Sequence, residues 1–144
     1  YARGLLIGMT RGTDRRHLAR AALESIAYQV TDVARLMERE SNQDLQELRV
    51  DGGAAANDLL CRFQSDLLGV PVLRPRNTET TVIGAAFLAG LGAGIWSSSD
   101  ELADLWELDQ RFTPTMEREQ RSALMQGWHA AIDRAGGWTH EIDG

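Results

Sequence analysis

This 144-residue sequence contains a single cysteine and only three histidines, which do not cluster. The single cysteine, Cys61, excludes an internal disulfide and any metal site built from several cysteines. The three histidines are scattered, without metal-ligand spacing, so no metal site is predicted. A reduced, cytoplasmic setting is expected.

An excess of basic charge and long apolar runs are missing as well. The formal net charge is -6 and the pI about 5.0, and no basic stripe is visible, which argues against a nucleic-acid partner. The longest apolar run, residues 82–96, is rich in glycine and shorter than the ~20 residues that a membrane span needs. The 43% hydrophobic and 25% charged residues are instead typical of one globular domain with a real core.

Short apolar runs alternate with helical patterns along the chain. Strands are predicted at residues 4–8, 45–50 and 71–74. Helices are predicted at residues 14–40, 57–68, 82–93 and 116–135, with a short one capped by residues 97–100 and ending at Trp106. This order favours an α/β fold in which helices pack on a parallel sheet. Ligands of such sheets bind beyond the carboxyl ends of the strands.

The leading candidate site is the glycine pair Gly52-Gly53, which follows the second predicted strand. Adjacent glycines allow a sharp turn and the close approach of a ligand, and the N-terminus of the next helix attracts anions. The alternative is a turn without a ligand. Neither the Rossmann fingerprint nor a Walker A sequence is present. Asn57 could offer its amide to an adenine or ribose, or it could bond the local backbone at the helix start.

Other polar residues are weaker candidates. Asp51 could face a magnesium–phosphate group or act as a turn carboxylate. Residues 78–81 could form a second anion-facing helix start or a simple cap. Arg3, Arg11 and Arg15 could reach a phosphate, although solvated arginines are commoner. No nucleophile–base pair stands out, so no catalytic residue is predicted.

Five stretches of the sequence resemble the C-terminal part of the FGGY family of carbohydrate kinases. They are residues 2–13, 23–29, 49–57, 63–69 and 84–91. They occur in the family's order and cover nearly the whole chain. The loop at residues 9–12 and the pair Phe63-Gln64 are similar to the members of the family that phosphorylate glycerol.

The resemblance implies part of a ribonuclease H-like, actin-type ATPase domain, with three short strands and helices packed on the sheet. Residues 1–144 would form the C-terminal nucleotide-binding domain without its first strands, and residues 98–144 a helical extension. Gly53 and Asn57 match the family positions that contact the adenosine part of ATP, and Gly52 lies beside them. The family's catalytic aspartate and polyol-binding residues lie upstream of the matched part.

The activity implied is the transfer of a phosphoryl group from ATP, with Mg²⁺, to glycerol, which gives glycerol 3-phosphate. The alternatives are another polyol or sugar as substrate, or a non-catalytic actin-like binding module. The implied partners are ATP, glycerol, a missing N-terminal domain and further copies of the chain in a homo-oligomer. The family order places two absent strands between residues 4–8 and 45–50. These two segments are therefore expected not to pair, which leaves free strand edges.

Overall fold

The computed structural model describes residues 2–103 and 105–137. In chain order its elements are α1 (Arg15–Ser41), β1 (Leu48–Arg49), a 3₁₀ helix (Gly53–Ala56), α2 (Asp58–Leu68), β2 (Val72–Pro75), α3 (Thr80–Gly92), α4 (Ser99–Ala103), β3 (Leu108–Phe112) and α5 (Arg118–Ala135). The predicted α/β class with three short strands is confirmed. The four longer helices lie within about two residues of their predicted bounds.

The sheet has the strand order β1-β2-β3, with β2 in the centre. β2 runs parallel to β1 and antiparallel to β3, with Leu73 opposite Arg111 and Arg74 opposite Gln110. Residues that lie directly opposite one another in neighbouring strands have side chains on the same face of the sheet. Arg74 and Gln110 therefore share one face of the sheet, and Leu73 and Arg111 share the other.

The strand predicted at residues 4–8 was wrong. Leu5, Leu6 and Ile7 are 44%, 63% and 56% exposed, and the segment has no regular structure. A strand needs a neighbour for its backbone groups, and among residues 2–103 and 105–137 no strand pairs with this segment. β1 pairs with β2. Because residues 4–8 form no strand, the expected arrangement of strand edges around them stays a prediction.

The strand β3 was missed, and the extension at residues 98–144 is therefore not entirely helical. Only Phe112 of this strand is fully buried, at 2% exposure. The strand thus has no apolar alternation that periodicity could detect. The short helix α4 ends at Ala103, earlier than predicted. Residue 104 and residues 138–144 of the predicted extension lie outside the described residues.

The core places α2 between α1 and the sheet. On one side of α2, Leu60, Phe63 and Leu67 pack with Ala27 of α1. On its other side, Cys61 packs with Val72 and Phe112 of the sheet. The start of α2 is thereby fixed on two sides. In the part of the chain that the structure describes, no helix has the length and apolar character needed to cross a membrane.

Candidate functional site

The segment that joins β1 to α2, residues 51–57, is called here the glycine turn. Gly52 has φ +75°, a backbone conformation that favours glycine. Its carbonyl accepts a hydrogen bond from the Ala55 N–H at 3.1 Å, which begins the 3₁₀ helix. A Cβ atom built on Gly53 would meet no other heavy atom within 4 Å. The backbone at Gly53 is therefore open to a close approach.

Asn57 forms the N-cap of α2. Its side-chain oxygen accepts hydrogen bonds from the N–H groups of Leu59 at 3.0 Å and Leu60 at 3.1 Å. The local role considered from the sequence is thus present in the structure. The amide nitrogen of Asn57 donates no hydrogen bond to the described residues, so this half-buried side chain keeps a donor for a ligand.

The structure brings the glycine turn together with the second candidate, the start of α3. The Gly52 N–H donates to the Thr78 carbonyl at 2.8 Å, and the Thr80 hydroxyl donates to the Asp51 carboxylate. The side chain of Glu79, the N-cap of α3, makes no capping hydrogen bond. Asp51 therefore joins the turn to the start of α3 through the Thr80 hydroxyl, and residues 78–81 help to fix the turn.

A cavity of about 800 Å³ lies beside the turn, bounded by residues of β1, β2, α3 and α4. Arg49 lies over the Trp106 ring in its wall, 4.7 Å from the centroid. None of Gly52, Gly53 and Asn57 lines this cavity. Gly53 is exposed, whereas Gly52 and Asn57 are half-buried.

The arginines of the first loop are not brought to the turn. Arg3, Arg11 and Arg15 are exposed, and no hydrogen bond or ion pair joins them to residues 51–57. Within residues 2–103 and 105–137, no group of three or more His, Cys, Asp or Glu side chains could hold a metal ion.

Arg74, which the sequence analysis did not single out, makes the densest set of polar contacts at the turn. From β2 it reaches Ala55 and Asp58 on one side and Asp109 and Gln110 on the other. Hydrogen bonding to Asp58, reinforced by Asp109, raises the pKa of Arg74, so the guanidinium stays charged. The sequence carried one signal for this role, since Arg74 is the charged residue of a short, otherwise apolar strand.

Cys61 lies beneath the turn and is 2% exposed. Its thiol donates to the Ala55 carbonyl, with Sγ 3.3 Å from the oxygen. Burial raises the pKa of Cys61, and the charge of Arg74 opposes this only in part. The thiol therefore stays protonated at neutral pH, which makes it a poor nucleophile.

With this geometry the sequence can be compared with known proteins. Residues 1–93 match the C-terminal domain of the FGGY family of carbohydrate kinases. The chain belongs to this family. The resemblance found in the sequence is therefore confirmed, and the chain spans less than a third of the length of the curated FGGY relatives it matches.

Two curated relatives illustrate the similarity. The glycerol kinase of Dechloromonas aromatica is 59% identical over 140 residues, which cover 97% of this FGGY chain and 28% of that protein. Glycerol kinase 1 of Saccharolobus solfataricus is 52% identical over 144 residues, which cover 100% of this chain and 29% of that protein.

Solved structures agree with the fold. The Plasmodium falciparum glycerol kinase with ADP superposes with a TM-score of 0.82 at 34% identity, over 94% of this chain and 27% of that one. The Rhodospirillum rubrum xylulose kinase superposes with a TM-score of 0.76 at 22% identity, over 97% of this chain and 29% of that one. The similarity to the xylulose kinase is evidence for the shared fold alone, because the identity is only 22%. The actin-like ATPase fold expected of an FGGY kinase is thereby confirmed.

Proposed function

We propose that this chain is the nucleotide-binding part of an ATP-dependent glycerol kinase. The observation that carries the proposal is the 59% identity to a glycerol kinase over 97% of the chain. The TM-score of 0.82 to a glycerol kinase solved with ADP adds support from the fold. The reaction is the transfer of the γ-phosphoryl group of ATP to glycerol, which gives glycerol 3-phosphate.

The proposed nucleotide contacts are Gly52, Gly53 and Asn57. The backbone at Gly53 has open space where a Cβ atom would lie, which leaves room for a base or ribose to approach it. The amide nitrogen of Asn57 supplies a directed donor, and the N-terminus of α2 adds its positive dipole end. These groups position the nucleotide and do not perform chemistry.

Magnesium enters as the MgATP substrate complex. Asp51 accepts a hydrogen bond from Thr80, and no acidic cluster surrounds it in the described part of the chain. The residues present therefore do not fit a metal site of this domain's own, and we place no Mg²⁺ ligand here.

The catalytic base and the polyol-binding residues are proposed to lie in the rest of the protein, outside this chain. Phosphoryl transfer requires little covalent chemistry from the protein and depends on positioning and charge stabilisation. A domain that only holds the nucleotide cannot align it with glycerol. We therefore expect the 144-residue chain alone to have no kinase activity.

The substrate assignment is tested with the purified full-length protein. ADP release is followed with MgATP and, in turn, glycerol, xylulose and gluconate. The highest kcat/KM is expected with glycerol. Turnover confined to xylulose or gluconate would replace the substrate but keep the family chemistry. If no acceptor were turned over and no ADP bound, the kinase proposal would be overturned in favour of a binding module.

A further inference from the structure

The Arg74 side chain joins the glycine turn to the sheet. It is 12% exposed. Nη1 donates to the Ala55 carbonyl at 3.0 Å and to the Asp58 carboxylate at 2.7 Å. Nε donates to Asp109 at 2.8 Å, and Nη2 donates to Gln110 at 2.9 Å.

These contacts divide between two parts of the molecule. Ala55 is the buried residue of the 3₁₀ helix, two positions after Gly53, and Asp58 directly follows Asn57. Asp109 and Gln110 belong to β3. One guanidinium therefore contacts both the glycine turn with the start of α2 and the strand β3. Its donors lie in a rigid plane, so it fixes the relative position of these two parts better than a flexible ammonium could.

We propose that Arg74 is a positioning residue for the nucleotide, which holds Gly53 and Asn57 in the arrangement that contacts adenosine. The proposal rests on the proposed function of the glycine turn. Arg74 does not touch the nucleotide in this account. It acts through the Ala55 carbonyl and the Asp58 carboxylate, which lie on either side of Asn57 in the chain.

The physical reason is preorganisation. Without the guanidinium, the donor left to the Ala55 carbonyl among the described residues is the weak thiol of Cys61. Asp58 and Asp109 then lose the positive charge between them. The turn keeps its contacts to Thr78 and Thr80 but is held less tightly near Ala55 and Asp58. ADP must then order this part on binding, which lowers the affinity. The KM for glycerol should not change, because glycerol binds elsewhere and does not need the turn to be ordered.

The test compares Arg74→Met and Arg74→Lys in the full-length protein, with Arg111→Met as the matched control. Arg111 is on the opposite face of the sheet, where its only close carboxylate among the described residues is Glu47 at 3.9 Å. ADP binding is measured by calorimetry, and KM is measured separately for ATP and glycerol. Arg74→Met is expected to weaken ADP binding and raise the KM for ATP about tenfold or more, with the KM for glycerol unchanged.

Arg74→Lys is expected to restore part of the affinity, since one ammonium can reach some of the partners. Arg111→Met should bind ADP as the wild type does. Unchanged ADP affinity in Arg74→Met, with or without a lower Tm, would overturn the inference and leave Arg74 a purely structural role. Equal rises in both KM values would also overturn it.

If Arg74→Met does not fold, ADP binding to the full-length Asp58→Asn variant tests the positioning role instead. Asp58 is 59% exposed, so the fold tolerates the change, while the ionic contact between α2 and Arg74 is lost. ADP binding weakened severalfold supports the positioning role, and unchanged binding overturns it. Failure of the wild-type protein to bind ADP would refute the proposed function itself, which separates the two proposals.

Discussion

At the scale of single residues, Asn57 combines a structural and a proposed binding role in different atoms. Its oxygen caps α2 through Leu59 and Leu60, and its nitrogen remains available. The sequence could predict both roles for this residue type, but it could not assign them to separate atoms. Only the backbone geometry, with Asn57 at φ -88° and ψ 103°, shows that the oxygen is already used.

Asn57→Asp and Asn57→Ala separate these two roles. Aspartate keeps an oxygen for the cap but removes the amide donor, whereas alanine removes both. Both variants are expected to bind ADP about tenfold more weakly, and only Asn57→Ala should lose ~1 kcal/mol of unfolding free energy. Calorimetry and chemical denaturation of the full-length protein measure the two effects. Wild-type ADP affinity in Asn57→Asp would show that the amide donor makes no contact.

Arg74 shows why part of the site could not be predicted from sequence. The residue types and spacing of Gly52, Gly53 and Asn57 are visible along the chain within a few residues. The partners of Arg74 are 16 to 36 positions away. Their contact depends on the pairing of β2 with β3, and β3 itself carried no apolar pattern.

At the scale of elements, the four longer helices were all predicted, and so were β1 and β2, whereas the strand at residues 4–8 was wrong and β3 was missed. The apolar face of α1 and the glycine stop after α2 are local signals, because a helix bonds within its own segment. A strand is completed by a neighbour. Residues 4–8 have the composition of a strand but no partner among the described residues, whereas β3 is largely polar and forms because β2 offers it an edge.

The helix α1 begins at Arg15, one residue later than predicted, because Asp14 is its N-cap. Its carboxylate accepts hydrogen bonds from the backbone N–H groups of Arg16 and His17, and the Arg16 guanidinium also donates to it. The hydrogen bond from Arg16, followed by those from His17, lowers the pKa of Asp14 from 3.8 to about 2.

This lowered pKa makes the start of α1 acid-sensitive. Because the folded-state pKa lies below the unfolded value, the stabilisation is complete above pH 3.8 and is lost as the pH falls towards 2. A carboxyl-carbon NMR titration should show that Asp14 titrates well below pH 3.8. Arg16→Ala should move the midpoint back towards 3.8, because it removes the largest cause. A midpoint near 3.8 in the wild type would contradict this capping geometry.

At the scale of the whole molecule, part of the proposed nucleotide site is exposed. Gly53 is exposed and Asn57 is half-buried. Large apolar side chains of α1 and α3 are exposed as well, such as Met37 at 65% and Leu88 at 72%. The chain spans about 28% of a glycerol kinase relative. We expect the remaining polypeptide to enclose the nucleotide from the other side, which agrees with a site that is partly exposed here.

The most direct test is the ADP affinity of full-length Gly53→Val, measured by calorimetry beside Gly127→Val. Both glycines are helical, and neither Cβ would meet an atom within 4 Å, so both variants should fold. Only Gly53 belongs to the glycine turn. Gly53→Val is expected to bind ADP at least about tenfold more weakly, while Gly127→Val binds it as the wild type does. Wild-type affinity in Gly53→Val would contradict this expectation.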